Sequence, residues 1–424
     1  MLQIAYIRDN TQEVIERLQV KNFQNAAEII NNVLKTDQKR REIQQTSDAL
    51  KAEANAIAKE IGVLFKAGKQ AEADLAKTHS AALKQQVKDL SADLAECEEK
   101  LNDLLLSIPN LPHRSVARGK GAEDNEITHQ EGEIPQLYEG AVPHWDLCAK
   151  YDLVDFELGN KVTGAGFPFY KGKGARLQRA LINFFLDNAV EAGFREVQPP
   201  LMVNADSGFA TGQLPDKEGQ MYEIPLDGYY MIPTAEVPIT NIYRNVILQE
   251  KDFPVRNCAY SQCFRREAGS YGKDVRGLNR LHQFDKVEIV VVEHPDRSYE
   301  QLENMKSHVA SLLRKLELPF RILRLCGGDM SFTSALTFDF ETYSAAQGRW
   351  LEVSSVSNFE TYQSNRLKLR FRDEDGKIKL THTLNGSALA LPRIVASLLE
   401  NHQTPDGIRI PKALVPYTGF DMID

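Results

Sequence analysis

The sequence predicts an α+β protein in which a long antiparallel two-helix coiled coil precedes a larger domain of strands and flanking helices. Three observations predict it. Between Ala26 and Ser107 there is no proline, and Gly62 and Gly68 are the only glycines. Within that stretch apolar and small residues recur at alternating four- and three-residue steps. Beyond Pro112 helical runs alternate with short strand-like runs such as Val287 to Val292.

The hairpin rests on two seams. Ile43, Ser47, Leu50, Ala54, Ile57, Ile61 and Leu64 form the first; Leu83, Val87, Leu90, Leu94, Cys97, Leu101 and Leu104 form the second. A 3.5-residue period keeps one stripe facing one partner, as in a coiled coil. The break from Gly62 to Gly68 predicts where the chain turns back, leaving two helices of about 37 residues, each roughly 55 Å long. Such a hairpin buries one narrow stripe, so it is expected to project from the body with wet outer faces. Periodicity alone also suits a dimerisation coiled coil. Charge does not decide: Ala26 to Ser107 holds 12 Lys/Arg against 14 Asp/Glu, a net of −2. Lys59, Lys66 and Lys69 lie near the turn, where a phosphate backbone could be met. Ile108-Pro109-Asn110-Leu111-Pro112 ends the arm, because proline cannot continue a helix. This sets domains of 1–110 and 111–424, with a polar linker expected to run to about Glu133.

Composition narrows the class. The chain has 424 residues, enough for two or three domains. Its net charge of −8 excludes a bulk basic surface that binds nucleic acid indiscriminately, so any such contact is local. The cysteines are Cys97, Cys148, Cys258, Cys263 and Cys326. Cys258 and Cys263 have no second pair to complete a zinc site, so all five read as free thiols in a reducing cytosol. Met1 to Asn10 carries no targeting pattern, and no segment approaches the roughly 18 apolar residues of a membrane span. The expected location is cytoplasmic, without membrane contact.

Three patches carry chemistry. In the first, Leu177, Leu181, Phe184 and Phe185 mark a helix ending near Gly193 and passing into Phe194-Arg195-Glu196-Val197-Gln198-Pro199-Pro200. By itself this is a common structural unit. The second joins Cys263-Phe264-Arg265-Arg266-Glu267 through a polar loop to His282-Gln283-Phe284-Asp285-Lys286-Val287-Glu288. Two strands joined this way would present Arg265, Glu267, Phe284 and Glu288 on one surface. Arginine offers a planar fork for phosphate or carboxylate, glutamate accepts from an amine, and phenylalanine offers a face to an adenine ring. The third is Leu384 to Arg393 with an apolar helical run to Leu399, where small residues permit close approach and Arg393 can reach a terminal phosphate. No GxxxxGK[ST] or GxGxxG loop occurs, so arginines rather than glycines must hold any triphosphate.

Together the patches resemble motifs 1, 2 and 3 of class II aminoacyl-tRNA synthetases. Further strings narrow the resemblance to the bacterial-type seryl-tRNA synthetases: Thr211-Gly212-Gln213-Leu214-Pro215, Ile232-Pro233-Thr234-Ala235-Glu236, Phe264 to Gly269, His282 to Glu288, and Glu352-Val353-Ser354-Ser355-Val356-Ser357-Asn358. The N-terminal hairpin is similar to that family's tRNA-binding arm, and the resemblance covers essentially the whole chain. It implies an antiparallel sheet flanked by helices, and a serine–tRNA ligase that activates L-serine with ATP and loads it onto tRNA(Ser), extending to tRNA(Sec) where that tRNA is present.

The resemblance also implies roles. Arg265 would hold the ATP α-phosphate and the serine carboxylate, and Arg393 the γ-phosphate; with Glu352 these are the expected catalytic residues. Glu352 and Ser355 would bind Mg2+, whose hard character suits oxygen ligands. Glu267 would face the adenine amino group and Phe284 would stack on the ring, with Arg266, Leu281, His282, Gln283, Val353 and Ser354 completing the ATP site. Thr234, Ala235, Glu236, Glu288, Asn385 and Ser387 would line the serine pocket with Arg265. Motif 1 would form a twofold homodimer interface. Four positions depart from the family pattern: Ala388 replaces a second glycine, Pro392 precedes the motif 3 arginine, Arg266 stands where a small residue is common, and Leu336 where lysine is frequent. Two other functions fit parts of the pattern: an inactive synthetase-like regulatory protein, and a ligase loading amino acids onto a carrier protein.

Overall fold

The computed structural model describes residues 1–217, 219–267 and 276–424, and they form two compact units. Ala268 and Gly269, at the end of one motif string, lie outside the described residues. One unit comprises 1–19 and 23–109; the other comprises 20–22 and 110–424.

The first unit holds α1 (Ile4–Asp9), most of α2 (Thr11–Val20), α3 (Ala26–Lys66) and α4 (Gln70–Ser107). The seams read from the sequence are where α3 and α4 meet: Ser47, Ala54, Leu83, Cys97 and Leu101 are buried, and the other seam residues are half-buried. Nearly everything between them is exposed. The turn is tighter than expected. α3 continues through Gly62 to Lys66, and only Ala67 to Lys69 turns, with Gly68 at φ +71°. A single glycine costs a helix about 1 kcal/mol and does not break it, whereas a reversal needs a positive φ. α1 is anchored by Asp37, whose side chain is 1% exposed amid Arg8, Arg40 and Arg41 at 3.0–3.2 Å.

The larger unit is built on an eight-stranded sheet. Its strands are β1 (Glu126–Glu131), β2 (Arg195–Glu196), β3 (Val255–Phe264), β4 (Gln283–Glu293), β5 (Phe320–Arg324), β6 (Leu336–Ser344), β7 (Arg349–Asn358) and β8 (His382–Ala390). Their spatial order is β1-β5-β6-β7-β8-β4-β3-β2, antiparallel throughout except at the β2–β3 edge. β1 corrects the expected linker: part of that polar stretch pairs with β5 as an edge strand. Nearly all its residues are exposed, so it has no apolar alternation to read.

Alternation gives the sheet two different faces. Val287, Ile289 and Val291 on β4, Leu384 and Ala388 on β8, Val356 on β7, and Phe338 and Phe340 on β6 enter one hydrophobic core. Three helices cover that face: Gly172–Glu191, Ser298–Lys315 and Leu391–Asn401. Leu177, Leu181, Phe184 and Phe185 are the buried stripe of the first, each such side chain contributing about 1.5–3 kcal/mol. That helix stops where Phe194 N–H reaches Ala189 O and Gly193 N–H reaches Val190 O, with Gly193 at φ +87°. This pair of bonds satisfies the last carbonyls and turns the chain into β2. Val20–Asn22 belongs to this unit because Lys21 Nζ donates to the carbonyls of Ser331 and Ser334, each at 2.7 Å.

Candidate active site

The polar face of the sheet gathers the site, and strand register shows how. Paired residues on antiparallel strands share a face. Cys263 pairs with Phe284, Ser261 with Lys286, and Glu288 with both Ala259 and Ser387. Asn385, two residues from Ser387, pairs with Ser357 on β7, and Ser355 pairs with Asp339 on β6. Glu341 continues the row on β6 and pairs with Glu352. Glu352 and Ser355 are three residues apart and would face opposite ways on a regular strand. An irregularity opposite Phe340 and Glu341 leaves Val353 as an extra residue, which brings both to one face. A second irregularity, in the β4–β8 pairing between Glu288 and Lys286, leaves two of the three residues after Ser387 without such a partner.

At one end of this face lies a buried ionic cluster. Lys286 Nζ is 2.5 Å from Glu288 Oε2 and 2.8 Å from Thr234 Oγ1, and the Thr234 hydroxyl donates to Glu288 Oε2 at 3.0 Å. Lys286, Glu288 and Thr234 are each at most 5% exposed. Glu236 opens the helix Glu236–Asn241, and its Oε1 accepts from Gln363 Nε2 at 2.6 Å. Burial first, and then the charge of Glu288, push the Glu236 carboxyl up to about 7, despite opposing help from Gln363, Lys286 and Arg265. Asn385 is 7% exposed and its Nδ2 has no hydrogen-bond partner. A buried amide donor left open beside carboxylates suits a polar ligand that brings its own acceptor. Ala235 packs with Ile239, Ala259 and Val290, which fixes the Thr234 to Glu236 segment over the sheet.

Arg265 follows β3. Its Nε donates to Pro233 O at 3.3 Å and its guanidinium lies 5.3 Å from the centre of the Phe284 ring. Its main chain pairs with His282: Arg265 N–H reaches His282 O at 2.9 Å, and His282 Nδ1 donates to Arg265 O at 3.0 Å. A carbonyl can only accept, so that ring nitrogen carries the proton. Glu267 takes φ +49° and pairs with Arg280 at 2.9 Å. Arg266 is exposed, and Leu281 is buried beneath the loop's return. Arg393 lies in the first turn of Leu391–Asn401, where Pro392 suits a helix start. Its Nε donates to Asn279 O at 3.0 Å and its Nη1 to Glu352 O at 2.7 Å, so two main-chain carbonyls aim the guanidinium.

Glu352 and Ser355 stand beside Asp339, whose Oδ1 is buried without a hydrogen-bond partner. Burial and the charge of Glu352 raise the Asp339 carboxyl well above its usual range. An orphaned carboxylate oxygen beside a carboxylate and a hydroxyl fits a hard cation. Among the described residues there is no ready-made group of three or more metal-binding side chains. A carboxylate beside a hydroxyl suits Mg2+, which takes one or two carboxylates and completes its shell with phosphate oxygens and water.

Not every expected residue offers its side chain to this face. Val353 enters the hydrophobic core, and the Ser354 hydroxyl donates to Ser387 O at 2.5 Å, so only their main chains are open to a ligand. Leu336 is also a core residue and Ala388 is fully buried. The sequence reading did not single out Lys286, Gln363 or Asp339. Lys286 lies within the His282 to Glu288 string, and its place between Asp285 and Glu288 is a usable signal. Gln363 and Asp339 carry none. All five cysteines are buried free thiols, and among the described residues no helix is long and apolar enough to cross a membrane.

Known proteins resemble this chain over its full length. Residues 1–112 match the family model of the seryl-tRNA synthetase N-terminal domain, and residues 222–402 that of the tRNA synthetase class II core domain (G, H, P, S and T). The chain is 50% identical to a serine–tRNA ligase of Salinibacter ruber, covering 100% of this chain and 99% of that protein. It is 45% identical to one from Chlorobaculum parvum, covering all of both. Among solved structures, the seryl-tRNA synthetase of Pyrococcus horikoshii complexed with ATP superposes with a TM-score of 0.93 at 34% identity, covering 100% of this chain and 99% of the other. The cytoplasmic serine–tRNA ligase of Naegleria fowleri in complex with AMP gives 0.88 at 25% identity, with the same coverage.

Proposed function

The chain belongs to the seryl-tRNA synthetase family, and on that premise we propose that it activates L-serine with ATP and transfers the seryl group to tRNA(Ser), with tRNA(Sec) as a further acceptor where present. One observation supports the site assignment most: the polar face joins a buried Thr234–Lys286–Glu288 cluster and the open amide of Asn385. Arg265 is tied to the Thr234 segment through Pro233.

The serine ammonium lies among Thr234, Glu236 and Glu288, and its hydroxyl meets Ser387 and Asn385. Arg265 bridges the serine carboxylate and the ATP α-phosphate, so the attacking oxygen and the phosphorus are held in line. The carboxylate attacks, pyrophosphate leaves, and charge developing on the phosphates is met by Arg265 and Arg393. Phe284 stacks on adenine and Glu267 accepts from its amino group. Arg266, His282, Gln283 and the main chain of Leu281, Val353 and Ser354 line the same nucleotide. Glu352 and Ser355 would hold Mg2+, which would supply positive charge to neutralise the phosphates. In the second half-reaction the terminal ribose hydroxyl of tRNA attacks the seryl carbonyl and AMP leaves. No protein nucleophile is required.

Selectivity follows from buried polar groups. Alanine leaves the donors and acceptors around Ser387 and Asn385 unpaired, a penalty that yields about 10⁴-fold rejection in comparable sites. The assembly is a cytoplasmic homodimer, with the Gly172–Glu191 helix and β2 at the twofold axis and each arm, 1–110, holding tRNA for the partner subunit's domain, 111–424. The deciding experiment is serine-dependent ATP–pyrophosphate exchange followed by transfer to tRNA(Ser). Absence of exchange identifies an inactive regulatory homologue; exchange with transfer to a carrier protein but not to tRNA identifies a carrier ligase.

A further inference from the structure

We propose that His144 is a positioning residue for ATP use: its buried imidazole pins the returning end of the loop between β3 and β4 to the helix that carries Arg393. The proposal rests on the reading that Arg393 grips the ATP polyphosphate. His144 opens the helix His144–Lys150 and is fully buried. Its Nε2 lies 2.9 Å from the main-chain nitrogen of Leu278. That N–H can only donate, so Nε2 is the unprotonated nitrogen. The proton therefore sits on Nδ1, 2.7 Å from Glu400 Oε1. Glu400 also accepts from the His144 N–H at 3.0 Å, from Gln347 Nε2 at 3.0 Å and from the Ser344 hydroxyl. Burial raises the Glu400 pKa, but the hydrogen bonds from His144 and Ser344, led by His144, outweigh it and the net shift is downward. A carboxylate held this way sets both the tautomer and the direction of the ring.

The other edge of the ring then decides where the chain runs. Gly277 has φ +66°, and a Cβ there would lie 2.3 Å from Nε2, so only glycine brings the main chain this close. The Arg276 guanidinium sits 4.5 Å from the centre of the Trp145 ring, a second hold on the same segment. Asn279 comes next. Its Nδ2 donates to Gln347 Oε1 at 3.1 Å, and its carbonyl is one of the two that aim Arg393. Without an acceptor at Nε2, the Leu278 N–H is stranded in a buried site and the carbonyl after it loses its anchor.

Asparagine and glutamine separate the two roles of the imidazole. Asparagine places its amide near the position of Nδ1 and keeps the Glu400 contact; glutamine reaches the position of Nε2 and keeps an acceptor for Leu278. In serine-dependent pyrophosphate exchange by the full-length chain, His144→Asn should raise KM for ATP about tenfold and His144→Gln less than about threefold, with KM for serine unchanged in both. Gly277→Ala leaves the imidazole in place and pushes on the same main chain. It should reproduce the His144→Asn effect, and it carries the test if a His144 variant does not fold. Equal ATP shifts in the Asn and Gln variants overturn the proposal, as does a serine KM that moves with them or an unaltered ATP KM in Gly277→Ala. Arg393→Ala checks the premise separately. An unchanged KM for ATP there refutes the role of Arg393 and takes the proposal with it, whereas a large Arg393 effect beside indistinguishable His144 variants sinks the proposal alone.

Discussion

The two units of this chain are held together at different ranges. In the arm many side-chain bonds run within one helix: Gln38 with Glu42, Gln44 with Asp48, Gln85 with Asp89, each four residues apart. In the larger unit the bonds that shape the site cross the sequence. Thr234 and Glu288 are 54 residues apart, Arg393 and Asn279 are 114, and Glu236 and Gln363 are 127. The arm buries one stripe and leaves Val63 at 65% and Leu75 at 73% exposed near its turn. The site buries ions and amides. A periodic stripe tolerates shortening or small changes, because each turn repeats the last. A buried charge cluster does not, because removing one partner leaves another unpaired.

The sharpest way to separate the units is Arg265→Ala. It should lower serine-dependent pyrophosphate exchange by about 10²–10³-fold while tRNA binding and thermal stability stay near those of the parent. A matching loss of tRNA affinity would erase the contrast. Shortening the arm tests the other side. Removing residues 44–92 and closing the gap with a short turn keeps the Arg8–Asp37 anchor. Exchange should be unchanged, while tRNA charging falls by roughly 100-fold, the effect of losing about 2.7 kcal/mol of contact. Normal charging would reduce the hairpin to a docking element.

Acidity gives a smaller but directional test, confined to the larger unit. Glu236 is held near pKa 7, so below that pH a serine ammonium must displace a proton to meet a carboxylate. KM for serine should therefore rise about tenfold per pH unit below 7, and Glu236→Gln should flatten the slope. Burial first, and for His308 also the charge of Lys315, lowers His308 and His382 to about 4. The unfolded chain takes up these protons near 6.5, so stability present above that pH is lost as pH falls toward 4, by about 3 kcal/mol per histidine. Urea titrations at pH 7 and pH 5 should show about 2 kcal/mol of that loss per histidine. The smallest effect belongs to the arm. Gly62 lies inside α3 with nothing within 4 Å of a Cβ, so Gly62→Ala should stabilise the hairpin by about 0.5–1 kcal/mol without touching exchange. A loss of stability would mean that the helix needs the glycine.

Local chemistry made much of this protein legible from its residues alone. The heptad seams, the proline-marked end of α4, the Leu177 to Phe185 stripe and the helix start at Pro392 all depend on neighbours within a turn or two, and the structure places them as read. Motif strings marked Arg265, Glu288, Glu352 and Arg393 as candidates, because ligand chemistry restricts which residue types can serve. Other features were decided only when the strands paired. The exposed edge strand β1 exists because β5 offers it hydrogen bonds. Glu352 and Ser355 share a face because register skips Val353. Lys286 becomes part of an ionic cluster only beside Thr234, and His144 matters only where Leu278 and Glu400 converge on it. Side-chain periodicity is a property of the chain. Which charges and amides meet is a property of the sheet, because loop closure brings together residues whose spacing in sequence carries no period.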